Sequence, residues 1–330
     1  MLYNDLKEGI YILHENEEWL IPLREAFKRA GVEFGEIPLT QGSIDLNKKP
    51  PKGVFFSRFS ASSHTRDHFF AKEYARAILS WLKRYNARII NPIHVLELEV
   101  SKVAQYLALE KFGFKTPKTQ AVFGKEDLLE VAKNFQTPFI TKHNQGGKGL
   151  GVRRFESLKD FEAYIHSSEF EPAVDGITLI QEYIQSKDFS ITRLEFIGSS
   201  FHYALRVDTS GGSFKLCPAQ SCELENQKQL PEFANATCEL GSNEKFSLRK
   251  DIYANTPLIK ELEAFLKLHS IEVAGVEFIE TPQNECVVYD INTNTNYNEK
   301  IEQDLRQKGE KGALDTLVQF LHNELKKELK

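Results

Sequence analysis

The chain of 330 residues carries 42 Lys and Arg against 47 Asp and Glu, a formal net charge of −5. That balance excludes a basic clamp as a whole-chain character, so no nucleic-acid partner is expected. With 41% apolar and 27% charged residues the composition is globular, and the length suits roughly two domains of ~150 residues, enough for a real core.

No apolar run approaches the ~20 residues that span a bilayer, and the start lacks a basic stretch followed by an apolar one; no membrane partner and a cytoplasmic location are expected. Cys217, Cys222, Cys238 and Cys286 have no CxxC spacing or nearby His pair. Reduced thiols therefore outweigh a zinc site as their expected state.

In chain order, short apolar runs alternate with amphipathic segments, the βαβ rhythm of a parallel sheet. Ile10 to Leu13 reads as a strand, and Asn16 can cap a helix running to Ala30, where Gly31 stops it. Phe34 to Leu39 and Val54 to Phe56 read as further strands, and Asp67 to Tyr85 as a helix with Phe69, Phe70, Tyr74, Ala77, Ile78 and Leu82 on its apolar stripe. Arg58 follows a strand end, where open α/β sheets bind ligands; it is a candidate for an acceptor carboxylate, with a surface salt bridge as the alternative.

A helix is expected from Ser101 to Phe112, closed by Gly113 and Pro117. Strands at 119–123, 139–143, 152–155 and 178–183, with helices at 127–135 and 158–166, make a compact unit. Two alternating strands around Gly198-Ser199-Ser200 follow, then a polar stretch at 208–254 whose glycines and prolines argue against long elements. Order resumes with a helix at 257–268, strands at 273–280 and 286–291, and helices from Glu299 onward. The last helix carries Leu314, Leu317, Val318, Leu321 and Leu325 on one face, expected to pack on its own domain.

Two stretches look chemical. His143-Asn144-Gln145-Gly146-Gly147-Lys148-Gly149-Leu150-Gly151 joins two strands. Its glycines let backbone amides approach phosphate oxygens, although a flexible surface turn is the plain alternative. It is neither a Walker A loop, lacking Gly-Lys-Ser/Thr, nor a dinucleotide fingerprint, since a strand follows it. Lys142, at the end of an apolar strand, needs a compensating anion, which a nucleotide phosphate would supply. Farther along, Glu277, Asp290 and Asn292 sit in two apolar strands joined by a short turn. Period two puts Asp290 and Asn292 on one face, and hairpin pairing can bring Glu277 beside them. Such oxygens suit Mg²⁺, against the alternative of a solvent-facing hairpin edge.

The order of Lys102, Lys142, the glycine hairpin, Gln181-Glu182-Tyr183-Ile184, Arg193, and Glu277 with Asp290-x-Asn292 resembles the ATP-grasp superfamily. Within it, the sequence is similar to the RimK-type glutamate ligase and glutathione synthetase branch, over about 95–300. The resemblance implies an α/β (α+β) ATP-grasp fold: a preceding α/β domain at 1–95 and an ATP-grasp domain at 96–330, with a lid subdomain at about 117–184 and a C-terminal subdomain at about 185–330. It implies that Lys102 and Lys142 bind ATP phosphates. Gln181, Glu182, Tyr183 and Ile184 would hold adenine, and Gln145, Gly146, Gly147, Lys148 and Gly149 would belong to the lid over the phosphates. Glu277, Asp290 and Asn292 would hold Mg²⁺, with Mn²⁺ as a substitute, and Arg193 would face the transferred phosphoryl group.

The implied activity is ATP-dependent joining of a carboxylate to an amine through an acyl phosphate, on small-molecule or peptide substrates, and homo-oligomers are frequent in such families. An ATP-grasp kinase, a ligase with another acceptor, or a nucleotide-binding module without turnover are the alternatives. The sequence departs from the family after Asn292, where Asn-x-x-Pro-Gly is common. Here Asn292, Asn294, Asn296 and Asn298 alternate instead, with Asn294 and Asn296 as candidates for hydrogen-bonding substrate and a turn and helix cap as the alternative. Arg206 lies where the family positions basic groups, and its planar fork suits a phosphate or carboxylate.

Overall fold

The computed structural model describes residues 2–147, 149, 151–210 and 245–330. Lys148, Cys217, Cys222 and Cys238 lie outside the described residues, and so do the expectations for them. Among the described residues the strands form three sheets.

The first contains β1 (Gly9–His14), β2 (Gly35–Pro38), β3 (Gly53–Arg58) and β4 (Arg88–Ile90), all parallel in the order β2-β1-β3-β4. Its central strands are continuous apolar runs because both faces are covered. Asn16 Oδ1 accepts the Trp19 N–H at 3.1 Å, starting a 3₁₀ turn that leads into α1 (Ile21–Ala30), and Gly31 at φ 62° ends that helix.

Helix α2 (Ala71–Arg84) starts later than the sequence suggests and buries Ala71, Ala75, Ile78, Leu79, Trp81 and Leu82. The expected stripe is therefore corrected: Phe69, Phe70 and Tyr74 are exposed, because Trp81 and the small Ala71 and Ala75 set the face against the sheet. Helix α3 (Ile93–Val100) was not anticipated. It breaks at Ser101, whose extended backbone and side-chain bond to the Ala104 N–H cap α4 (Lys102–Phe112).

The second sheet, β5 (Thr119–Phe123), β8 (Ile177–Glu182), β6 (Phe139–His143) and β7 (Arg153–Phe155) in that order, is antiparallel. Helices α5 (Leu128–Ala132) and α6 (Leu158–His166) cover it around Phe139, Phe155 and Phe161. In the third sheet β9 (Ser190–Ile197), β10 (Ser200–Asp208), β11 (Phe246–Leu248), β12 (Val273–Glu280) and β13 (Cys286–Asn292) run antiparallel in the order β11-β10-β9-β12-β13. Helices α4 and α7 (Pro257–Leu268) bury Leu109, Leu262 and Phe265 against it.

After α8 (Glu299–Gln307), the last helix α9 (Ala313–Glu328) does not stay with the third sheet alone. Leu314, Leu317, Val318 and Leu321 share one core with Ile10, Phe27 and Phe56 of the first unit and with Ile197 and Val273 of the third sheet. The chain end thus bolts the two together. No described helix is long and apolar enough to cross a membrane.

Candidate active site

A cavity of about 380 Å³ lies between the second and third sheets, with the first unit at its far end. Lys102, Lys142, Gly146, Gly147, Gly149, Gln181, Glu182, Tyr183, Ile184, Arg193, Glu277, Asp290, Asn292, Asn294 and Asn296 line it. Strand register explains the convergence. Glu277 on β12 pairs with Asp290 on β13 and with Arg193 on β9, so three charged residues stand side by side across three strands. Immediately after Glu277 the register slips: Phe278 faces Val288, leaving Tyr289 as an extra residue. This bulge lets Tyr289 and Asp290 both face the cavity, which strict alternation forbids.

The charges are arranged as linked pairs. Lys102 Nζ donates to Asp290 Oδ1, while Arg193 donates to Glu195 Oε1, Glu277 Oε1 and Thr295 Oγ1 at 2.6 Å each. Thr295 Oγ1 in turn donates to Glu195 Oε2 at 2.8 Å, closing a ring around the guanidinium. Burial alone would discharge Arg193, but Glu195 and Glu277 outweigh it and hold the charge firmly. Burial lifts the Glu277 carboxyl above its ordinary value, with Asp290 beside it adding to the shift and Arg193 opposing it. Burial would also raise Asp290, but the ammonium groups of Lys102 and Lys142 hold it low and ionised.

Lys142 is the exception. It is buried, its Nζ lies 5.0 Å from the Tyr106 ring centre and 5.7 Å from that of Tyr289, and no anion pairs with it among the described residues. Burial, reinforced by the neighbouring Lys102 charge, lowers its pKa to about 7. The donor set suits a divalent cation: Glu277 and Asp290 face each other across the ladder, Asn292 follows two residues on, and all three reach the cavity wall.

Gly146, Gly147 and Gly149 of the glycine hairpin line the cavity from a fixed base. Asn144 Oδ1 accepts the Val103 N–H and its carbonyl accepts the Lys102 N–H, tying the loop to the start of α4. Gly149 and Gly151 take φ of 74° and 66°, and a Cβ at Gly151 would lie 2.2 Å from the His143 ring. At the other end of the same sheet β8 stops at Glu182, so the Tyr183 and Ile184 backbone leaves the ladder where it meets the cavity. Glu182 Oε1 accepts the Lys118 N–H at 2.6 Å, which fixes this side chain at the cavity edge.

Three expected residues are not brought to the wall. Gln145 is turned away, accepting from Lys72 Nζ at 2.9 Å and donating to the Ala61 carbonyl at 3.4 Å. Arg206 is corrected: it lies outside the cavity and pairs with Asp188 at 3.4 Å, because its place on β10 is two strands from β12 and the pocket opens on the far side. Arg58 is buried behind the wall and is no surface salt bridge. It donates to Asn294 Oδ1 at 3.0 Å, to the Thr295 carbonyl at 2.9 Å and to Asn296 Oδ1 at 2.9 Å. Asn298 caps α8, accepting the Ile301 N–H.

Sequence reasoning missed Glu99, Glu195, Tyr289 and Gly275. The Arg193-x-Glu195 spacing on a strand carried a usable signal, since period two places both on one face. Glu99 and Tyr289 gave none, because one depends on the break between α3 and α4 and the other on the bulge.

No family model matches the chain. Over 91 residues it is 31% identical to the D-alanine–D-alanine ligase of Flavobacterium psychrophilum, covering 26% of this chain and 27% of that one. Over 123 residues it is 28% identical to the alpha-aminoadipate–LysW ligase LysX of Sulfurisphaera tokodaii, covering 36% of this chain and 42% of that one. The matched parts thus span well under half of either relative. Among solved structures, D-cycloserine synthetase DcsG superposes with a TM-score of 0.63 at 14% identity, over 96% of this chain and 100% of that one. The ATP-grasp ligase PsnB, complexed with minimal precursor, Mg and ADP, gives 0.60 at 12% identity over 97% of each. With these superpositions extending over nearly the whole length of each chain, the chain has the ATP-grasp fold.

Proposed function

We propose that the protein is an ATP-dependent carboxylate–amine ligase working through an acyl phosphate, with an amino acid as one substrate. The observation that carries this reading is the meeting of Lys102, Lys142 and Arg193 with Glu277, Asp290 and Asn292 in one cavity under a glycine hairpin. The names of the relatives, which describe ligation, support it. In this reading residues 1–95 precede the nucleotide unit and 117–184 form the lid.

A substrate carboxylate oxygen attacks the γ-phosphorus, the bond to the β–γ bridging oxygen breaks and ADP leaves. An amine then attacks the acyl carbon, phosphate departs and the amine loses a proton. Such a transfer needs positioning and charge more than covalent help. Lys142 and Lys102 would hold phosphate oxygens, Lys102 exchanging its Asp290 contact for them. Arg193, fixed on three sides, would face the transferred group. The glycine hairpin would exclude water from the acyl phosphate. Glu277, Asp290 and Asn292 would hold Mg²⁺, which offsets phosphate charge when bound.

The test is ADP release with Mg²⁺ and pools of carboxylates and amino acids. Release should need both pools and fall about a hundredfold or more in Asp290→Asn with the fold retained; unchanged release in that variant would refute the assignment of the carboxylates.

A further inference from the structure

Where the first sheet opens onto the cavity, hydrogen-bond counting gives the polarity of a subsite. β1 joins β2 on one side and β3 on the other, and the crevice beyond their carboxyl ends is where open α/β sheets take ligands. Arg58 ends β3 there. Its guanidinium is buried, with pKa pushed down by burial to about 10, and the three oxygens it bonds are all neutral. Two of them are the side-chain oxygens of Asn294 and Asn296, both of which line the cavity. An amide whose oxygen is fixed on a donor presents its NH₂ the other way. Neither NH₂ group has a partner among the described residues.

The neighbouring hydroxyl adds a third donor. Ser62 Oγ accepts from Arg66 at 3.3 Å and lies 2.9 Å from Ser60 Oγ, which also accepts the Ser62 N–H at 3.2 Å. One hydroxyl proton bridges the pair and the other is left for the cavity, which both serines line. Glu99, beside these serines, accepts the Ala61 N–H on Oε1 at 3.4 Å and the Thr293 N–H and hydroxyl on Oε2 at 2.8 Å each, and burial raises its carboxyl toward neutrality.

We infer that Asn294, Asn296 and the Ser60–Ser62 hydroxyl pair form a donor-only subsite for a carboxylate group of the substrate, and that Arg58 is a positioning residue that turns both amides toward it. This rests on the ligase reading only in naming the bound group a substrate.

Asn294→Asp and Asn296→Asp separate this role from a merely structural one. Each keeps an oxygen for Arg58 and adds an ion pair, so the fold is held, but each replaces the NH₂ donor with a repelling carboxylate. Wild type and variants are incubated with ATP and a pool of the protein amino acids, the dicarboxylates from malonate to adipate, and their methyl esters; retained compounds are measured by mass spectrometry after ultrafiltration. At least one carboxylate-bearing compound should be retained by the wild type without its ester. Its retention should fall about tenfold in each variant at unchanged or higher Tm and unchanged ATP retention. Equal retention by the variants, or no carboxylate retained by the wild type, overturns the subsite. ATP retention is read separately and reports on the ligase reading alone.

Discussion

Lys142 is buried near the Tyr106 and Tyr289 rings with the Lys102 charge close by, and its pKa of about 7 stands far below the ordinary 10.5. Between those values the unfolded chain holds a proton that the folded chain lacks, so stability rises with pH across that window, and below it the full cost of a buried charge is borne. Lys142→Met should therefore raise Tm, most below about pH 7 and least near pH 10, while weakening ATP binding about tenfold or more. A polyphosphate supplies the missing anion and draws the pKa back up. ATP binding at about pH 8 should accordingly take up a proton, seen as a buffer-dependent heat that the variant loses. Equal heats in all buffers would remove Lys142 from the phosphate site.

At the scale of elements, the third sheet works because β12 makes room for a β9 side chain. A Cβ on Gly275 would sit 2.5 Å from Arg193 Nη2 and 3.0 Å from Thr295 Oγ1, in extended backbone that tolerates any residue. Gly275→Ala should push the guanidinium out of its ring with Glu195 and Glu277, costing roughly 2–4 kcal/mol in denaturant unfolding and most of the turnover. A neutral outcome would mean that the ring is slack.

Much of this sheet is legible in the sequence: β12 runs from Val273 to Glu280 as its apolar run and the turn after it indicate, and Asp290 and Asn292 share a face by period two. What is not legible is set by partners distant in sequence. The bulge that turns Tyr289 inward depends on how β13 meets β12. Asn294 and Asn296 read equally well as a turn or a substrate contact until Arg58, some 236 residues earlier, is seen to take their oxygens. The α2 stripe failed for a local reason: the aromatic pair Phe69 and Phe70 mimics an apolar face just ahead of the helix.

For the whole molecule, the last helix decides how the parts hold together. Leu317, buried among residues of the first and third sheets, belongs to both cores. Arg88 on β4 adds a charged clasp, pairing with Glu272 at 2.5 Å and with Glu324 of α9 at 2.7 Å. Leu317→Ala should cost about 2–5 kcal/mol and leave one cooperative transition shifted as a unit. A split into two transitions would mean that the first unit folds independently of α9. This junction gives the cavity its three walls, and in the proposed reading the second sheet would take the nucleotide, the third its phosphates and the first the substrate.

The near-neutral charge of −5 thus conceals a cleft where cations and carboxylates stand in contact. In the proposed function this cleft activates a carboxylate. Its most direct test is hydroxylamine trapping: the protein with Mg²⁺, ATP and a carboxylate pool, without amines, is quenched and hydroxamates are sought by mass spectrometry. A hydroxamate of at least one carboxylate should form with an equal amount of ADP and be missing in Asp290→Asn. ADP release without any hydroxamate, or a hydroxamate undiminished in that variant, would contradict the account.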